Sequence, residues 1–95
     1  MSFVCKLSPS ESAKAVEDRR WLHQHAELSN QEFETTAYIE KEMSALGLEI
    51  FKPGKTGLIA VLKGAHDGPT LGIRADIDAL PLQELNDVPY KSQYD

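Results

Sequence analysis

Residues 46–62 read LGLEIFKPGKTGLIAVL, and within this stretch the spacing of apolar residues changes from helical to extended. Gly47 follows a helical apolar pattern and lies where a left-handed helix terminus is expected. The alternation from Leu48 to Lys52 stops at Pro53, which predicts a short, half-exposed strand. The unbroken apolar run from Leu58 to Leu62 contains β-branched residues and predicts a strand covered on both faces.

Two helices are predicted before this stretch. Ser8-Pro9-Ser10-Glu11 is a capping box with proline at the first helical position, and its helix extends to about Glu27. A second capping box, Ser29-Asn30-Gln31-Glu32, starts the helix that ends at Gly47. The two helices are therefore expected to meet at Leu28 almost without a linker. Their apolar positions are Ala15, Val16, Leu22 and Ala26, and then Phe33, Ile39, Met43 and Leu46.

The chain after residue 62 predicts one more strand and then a loop. His66-Asp67-Gly68-Pro69 is typical of a turn, and Thr70 to Ala75 is expected to pair with the preceding strand as a hairpin. From Pro81 the periodicity is lost, and Asp95 ends the chain in an unfinished loop. The predicted fold class is α/β, with two N-terminal helices followed by the first strands of a larger mixed sheet. A small α+β domain is the alternative.

Composition excludes several classes of function. The 95 residues carry a net charge of −5 from 15 acidic and 10 basic side chains. The basic residues are scattered, so no nucleic-acid partner is expected. No apolar run approaches the roughly 20 residues that a membrane span needs. The single cysteine, Cys5, cannot form an internal disulfide and gives no support for an oxidising compartment. We predict a cytoplasmic protein.

Asp76 and Asp78 are the candidate site residues of the chain. They lie in the stretch 74–81, RADIDALP, and residues two apart in a strand project to the same face. Two neighbouring carboxylates repel each other unless a cation lies between them or one of them is protonated. A divalent metal, a metal-bound histidine or Arg74 could supply that charge. The alternative is that both are solvated carboxylates at the end of a strand, because Asp-x-Asp is a common pattern.

The spacing of the three histidines does not indicate a metal site. His23 and His25 are two apart on a predicted helix and therefore point in different directions. His66 lies in a predicted turn. All three are interpreted as surface or helix-end histidines.

Three blocks of the sequence resemble the metal-dependent amidohydrolases that include aminoacylases, hippurate hydrolase, N-acetyldiaminopimelate deacetylase and plant auxin-conjugate hydrolases. The blocks are residues 19–29, RRWLHQHAELS, with Glu32 and Thr35-Thr36 after it; residues 56–60, TGLIA; and residues 74–81 with Glu84. They come in family order and cover the chain from about Ala15. The family usually has proline where this chain has Ala26, a change expected to shift the helix end without touching the chemistry.

The resemblance implies that residues 1–95 are the N-terminal part of a metallo-exopeptidase-like catalytic domain, without the dimerisation domain. It implies two divalent ions (zinc, manganese or cobalt) with ligands beyond residue 95, a small N-acyl amino acid substrate, and a homodimeric full-length enzyme that hydrolyses the amide bond. Asp78 is similar to an aspartate that orients a metal-binding residue, and Asp76 belongs to the neighbourhood of the site. Arg74, Glu27 and Glu32 resemble supporting residues. The 95 residues alone are expected to be inactive, and the alternative is a stand-alone non-catalytic module or degenerate fragment with a binding or structural role.

Overall fold

Two helices followed by a two-stranded antiparallel sheet make up the regular structure of the chain. The computed structural model describes residues 6–81, 84–85 and 87–93. The elements are α1 (Pro9–Gln24), α2 (Phe33–Ala45), β1 (Glu49–Phe51) and β2 (Ile59–Val61). This order confirms the predicted α/β class. Cys5 and Asp95 lie outside the described residues.

α1 begins as the sequence predicts. The Glu11 amide donates to Ser8 Oγ at 3.2 Å, and the Ser8 amide donates to Glu11 Oε1 at 2.9 Å, so both halves of the capping box are present. Pro9 occupies the first turn, where no intrahelical donor is needed. The start of α1 is therefore encoded by four consecutive residues.

α1 ends earlier than the predicted position near residue 27. Its last residue is Gln24, and His25 leaves the helical conformation with φ −109° and ψ 39°. The carbonyl oxygen of Trp21 accepts from the His25 amide at 3.0 Å and lies 2.8 Å from the imidazole Nδ1. The imidazole also stacks on the Trp21 indole, with ring centroids 4.0 Å apart. These contacts terminate the helix, and Ala26 does not extend it.

The predicted capping box for α2 is wrong. α2 begins at Phe33, and its N-cap residue makes no side-chain hydrogen bond to the first turn. The carboxylate of Glu27 does this from outside the helix, accepting from the amides of Thr35 at 2.7 Å and Glu34 at 3.2 Å. A negative charge at this end is also favoured by the helix dipole. Residues 25–32 therefore form a true linker, and the helices do not meet at Leu28.

The two strands form one hairpin, but not the predicted one. β1 pairs with β2 with Ile50 opposite Ala60, and Gly47 ends the helical region at φ 79°, as predicted. Residues 70–75 were expected to be a third strand, yet no described residue pairs with them. A strand needs a partner for its backbone groups, and among the described residues this segment has none.

The described residues contain no buried hydrophobic side chain. The three buried residues are polar, namely Glu32, Thr35 and Thr36. β2 is not covered on both faces as predicted, since Ile59 is 53% exposed. The two helices contact each other through aromatic rings, because Tyr38 stacks on the second face of Trp21 at 4.0 Å. The packing between elements is thus aromatic and polar.

Candidate functional site

A cleft runs along the C-terminal half of α1. It has a volume of about 740 Å³, and we call it the α1 cleft. Its helical wall includes Arg19 and His23, and residues 76–80 form the opposite wall together with Glu84. Asp76 and Asp78 both line it, and both also line a smaller neighbouring cavity of about 390 Å³ that contains Glu32. The two candidate residues are therefore brought to the same part of the structure.

The two aspartates have different surroundings. Asp76 Oδ1 lies 2.9 Å from Arg74 Nη2, and Arg74 is one of the groups that the sequence left open as a source of positive charge. This ion pair lies in solvent and contributes little to stability. Asp78 is exposed, and the described residues offer its carboxylate no hydrogen bond or ion pair. The predicted roles of both residues stay predictions.

Backbone contacts fix the segment that carries Asp78. The Ala79 amide donates to the carbonyl oxygen of Glu27 at 2.7 Å, and Ala79 forms a parallel bridge with Leu28. Glu27 therefore acts twice, because its carboxylate caps α2 while its carbonyl binds the 76–80 segment. The linker after α1 is the anchor of the candidate site.

Glu32 joins this linker to the turn between β1 and β2. Its side chain is buried, and the Asn30 amide donates to Oε1 at 2.6 Å. A hydrogen bond from the Thr56 hydroxyl is the main cause that holds the pKa of the Glu32 carboxyl below its ordinary value, and the bond from Asn30 acts in the same direction. An ionised, buried carboxylate that accepts several hydrogen bonds is well suited to hold loops together.

A pairing between His23 and Glu84 lies at one side of the α1 cleft, and sequence reasoning missed it. His23 Nε2 lies 2.8 Å from each carboxylate oxygen of Glu84. The two residues are 61 positions apart, so no local pattern reveals the contact. Both residues belong to the blocks that resemble the amidohydrolases, and only this shared membership could have suggested a link. The interpretation of His23 as a simple surface histidine is incomplete.

The described part of the chain contains no group of three or more His, Cys, Asp or Glu side chains that could hold a metal ion. Within that part, no helix has both the length and the apolar composition needed to cross a membrane.

Comparison with known proteins gives relatives in sequence and in structure. An uncharacterized hydrolase of Staphylococcus aureus is 57% identical over 77 residues, which is 81% of this chain and 20% of that protein. An uncharacterized hydrolase of Staphylococcus haemolyticus is 52% identical over 86 residues, covering 90% of this chain and 22% of that protein. The chain thus spans about a fifth of the length of the curated relatives it matches. No protein-family model matches the chain.

A solved structure shares both fold and sequence with the chain. The YXEP protein of Bacillus subtilis, described as a dinuclear metal-binding peptidase of the M20 family, superposes with a TM-score of 0.82 and 47% identity. The match covers 87% of this chain and 24% of that protein. The two helices and two strands of this chain correspond to the N-terminal part of the M20 fold, as the sequence resemblance predicted. By sequence and by fold, this chain is related to the N-terminal part of the M20 family of peptidases.

Proposed function

We propose that this chain is the N-terminal portion of a metal-dependent amidohydrolase that cleaves the amide bond of N-acyl amino acids or related small amides. The observation that carries the proposal is the 47% identity, at a TM-score of 0.82, to a dinuclear metal-binding peptidase. Identity at this level supports shared chemistry as well as shared fold. The substrate class comes from the resemblance of the three sequence blocks, and the cytoplasmic location and homodimeric state of the full-length enzyme stay predictions.

The metal ligands of the complete enzyme are proposed to lie beyond residue 95, as the resemblance of the three sequence blocks implies. Two divalent ions are proposed there, as zinc, manganese or cobalt. Among the described residues, no group of three or more His, Cys, Asp or Glu side chains could hold one. In this arrangement the 95-residue chain contributes one wall of the active site and is inactive when isolated.

Asp78 is the residue through which this wall would act. Its carboxylate faces the α1 cleft without a described partner, so it is available to accept a hydrogen bond from a group contributed by another part of the enzyme. A carboxylate that accepts from a metal-bound side chain fixes the orientation of that ligand and raises its basicity. Asp76, which pairs with Arg74, would contribute to the local charge only.

A stand-alone binding module is the competing function. A self-sufficient domain buries apolar side chains in a core of its own. The described residues bury none, and Leu71 and Ile73 are 84% and 89% exposed. This observation favours a part of a larger domain over an independent module.

A chimeric enzyme tests the proposed function. The segment of the YXEP protein that matches this chain is replaced by the chain's own residues, and activity is measured on N-acyl amino acids and dipeptides with zinc, manganese or cobalt. We expect the chimera to hydrolyse the substrates of the parent YXEP protein. The isolated 95-residue chain and the YXEP protein without the segment should both be inactive. An inactive but folded chimera, or activity of the isolated chain, would contradict the proposal.

A further inference from the structure

The segment that follows Asp78 is anchored to the end of α1 by side chains as well as by the backbone. The Glu84 carboxylate accepts from the Ser92 amide at 2.8 Å and lies equally close to His23 Nε2. The Tyr90 ring meets the His23 imidazole edge-on, with centroids 5.4 Å apart at 88°. His23 and Glu84, together with the two groups around them, form a contact that we call the α1 clamp.

Backbone hydrogen bonds lie on both sides of this clamp. The Ala79 amide donates to the Glu27 carbonyl oxygen at 2.7 Å, and the Gln93 amide donates to the Gln24 carbonyl oxygen at 2.9 Å. Ala79 is thereby held against the linker after α1, and Gln93 against the last turn of α1. Glu84, Tyr90 and Ser92 lie between these two anchored residues in the sequence.

The chemistry of the clamp defines which atom donates. Both atoms facing His23 Nε2 are carboxylate oxygens, so Nε2 carries the proton and donates to Glu84. The side chain of Glu84 is only 12% exposed and that of His23 37%. A carboxylate shielded to this degree needs donors to compensate for the lost hydration, and removing one of them is costly.

We propose that His23 and Glu84 are positioning residues that hold Asp78 at the mouth of the α1 cleft in the complete enzyme. This inference rests on the proposed function. Asp78 is adjacent in sequence to Ala79, the first anchored residue, and lines the same cleft as both members of the clamp. Loss of the clamp releases one end of the segment on which Asp78 lies. In this role His23 and Glu84 act through the position of Asp78 and need no contact with the reacting groups.

The test uses the active chimera and four single variants, one of which is Glu84→Ala. His23→Ala removes the donor, whereas His23→Gln keeps an N–H donor at the position of Nε2. His66→Ala truncates an exposed histidine that lies outside the α1 cleft and is the matched control. We expect His23→Ala to lower kcat about ten-fold, the lower end of the effect of outer-shell partners of metal ligands. KM should stay within about two-fold, because the clamp does not bind substrate.

Rescue separates positioning from simple destabilisation. His23→Gln should recover most of the lost kcat, and the His23→Ala/Glu84→Ala double variant should be no slower than the worse single variant, since both changes remove one contact. An unchanged kcat in His23→Ala, or additive losses in the double variant, would overturn the inference. If the unaltered chimera is folded and inactive, it is the proposed function that fails.

Amide exchange in the chimera gives a second measurement, which does not depend on turnover. Hydrogen–deuterium exchange by mass spectrometry at low protein concentration reports on the peptide that contains Ala79. The exchange rate of this peptide should be higher in His23→Ala than in the unaltered protein, and should fall back to the unaltered rate in His23→Gln. Equal exchange in all three proteins would refute the clamp.

Discussion

Among single residues, Glu27 contacts both the start of α2 and the segment that carries Asp78. Its carboxylate caps the first turn of α2 from a position before the helix. We expect Glu27→Ala to speed amide exchange at Glu34 and Thr35 about five-fold, because loss of a helix cap costs about 1 kcal/mol. Hydrogen–deuterium exchange of the α2 peptide measures this. Glu17→Ala, an exposed carboxylate on α1, is the control and should leave α2 unchanged; equal exchange in both variants would show that Glu27 is not the cap.

Glu32 makes the stability of the folded chain depend on pH. The Thr56 hydroxyl and the Asn30 amide lower the pKa of its carboxyl in the folded chain. Because the folded pKa lies below the unfolded one, the ionised form stabilises the fold at neutral pH. That stabilisation is lost as the pH falls from the ordinary carboxyl value through the lowered one.

Comparison of the unaltered chain with Glu32→Gln at each pH checks this dependence. The variant should exchange faster than the unaltered chain around residues 30 and 56 at neutral pH. The difference should disappear in strong acid, where both side chains are uncharged. A difference that does not change with pH would mean that shape, and not charge, accounts for the role of Glu32.

At the scale of elements, a hydrogen bond to a buried threonine joins α2 to the turn before β2. The Gly57 amide donates to Thr36 Oγ1 at 2.7 Å, and Thr36 is buried. Thr36→Val keeps the shape but leaves this donor unpaired, at a cost of about 1–3 kcal/mol. We expect exchange at Gly57 to rise about ten-fold in Thr36→Val, which corresponds to about 1.4 kcal/mol. Thr36→Ser retains the oxygen and should behave like the unaltered chain, whereas a similar rise in the serine variant would point to lost methyl packing.

The elements also show what the sequence could predict. The predicted start of α1 is confirmed because Ser8 and Glu11 cap the helix within one turn. The predicted start of α2 is wrong because the cap comes from Glu27, and no consecutive sequence pattern connects Glu27 to the helix. The predicted strand over residues 70–75 fails because a strand depends on a partner that sequence periodicity does not reveal. In the site, the sequence indicated Asp76 and Asp78, but the long-range pairing of His23 with Glu84 required the fold.

At the scale of the whole molecule, the chain exposes more surface than a compact domain of its size. Its accessible surface is 8264 Å², whereas a compact monomer of this mass exposes about 5,500 Å². Its radius of gyration is 15.7 Å, compared with about 12 Å for a compact domain of this length. The excess surface includes large apolar side chains, among them Leu62, Leu71 and Ile73. The same conclusion follows from the missing hydrophobic core among the described residues.

Exposed apolar surface of this kind predicts self-association of the isolated chain. We expect sedimentation velocity to show oligomers that grow with protein concentration, and thermal unfolding that is neither sharp nor reversible. A monomer with one sharp, reversible transition would contradict the view that the chain is part of a larger domain.

Ile73→Glu is expected to have opposite effects in the isolated chain and in the chimera. In the isolated chain Ile73 is 89% exposed, so the added charge removes apolar surface and should reduce self-association. In the chimera, the rest of the domain is expected to cover Ile73, and a buried, unpaired carboxylate would destabilise the fold and lower the melting temperature. Leu7, which is 55% exposed and precedes α1, provides the control, and Leu7→Glu should leave the chimera unchanged. An Ile73→Glu chimera as stable as its parent would show that residues 70–75 stay at the surface, and the sheet would then not extend along that segment.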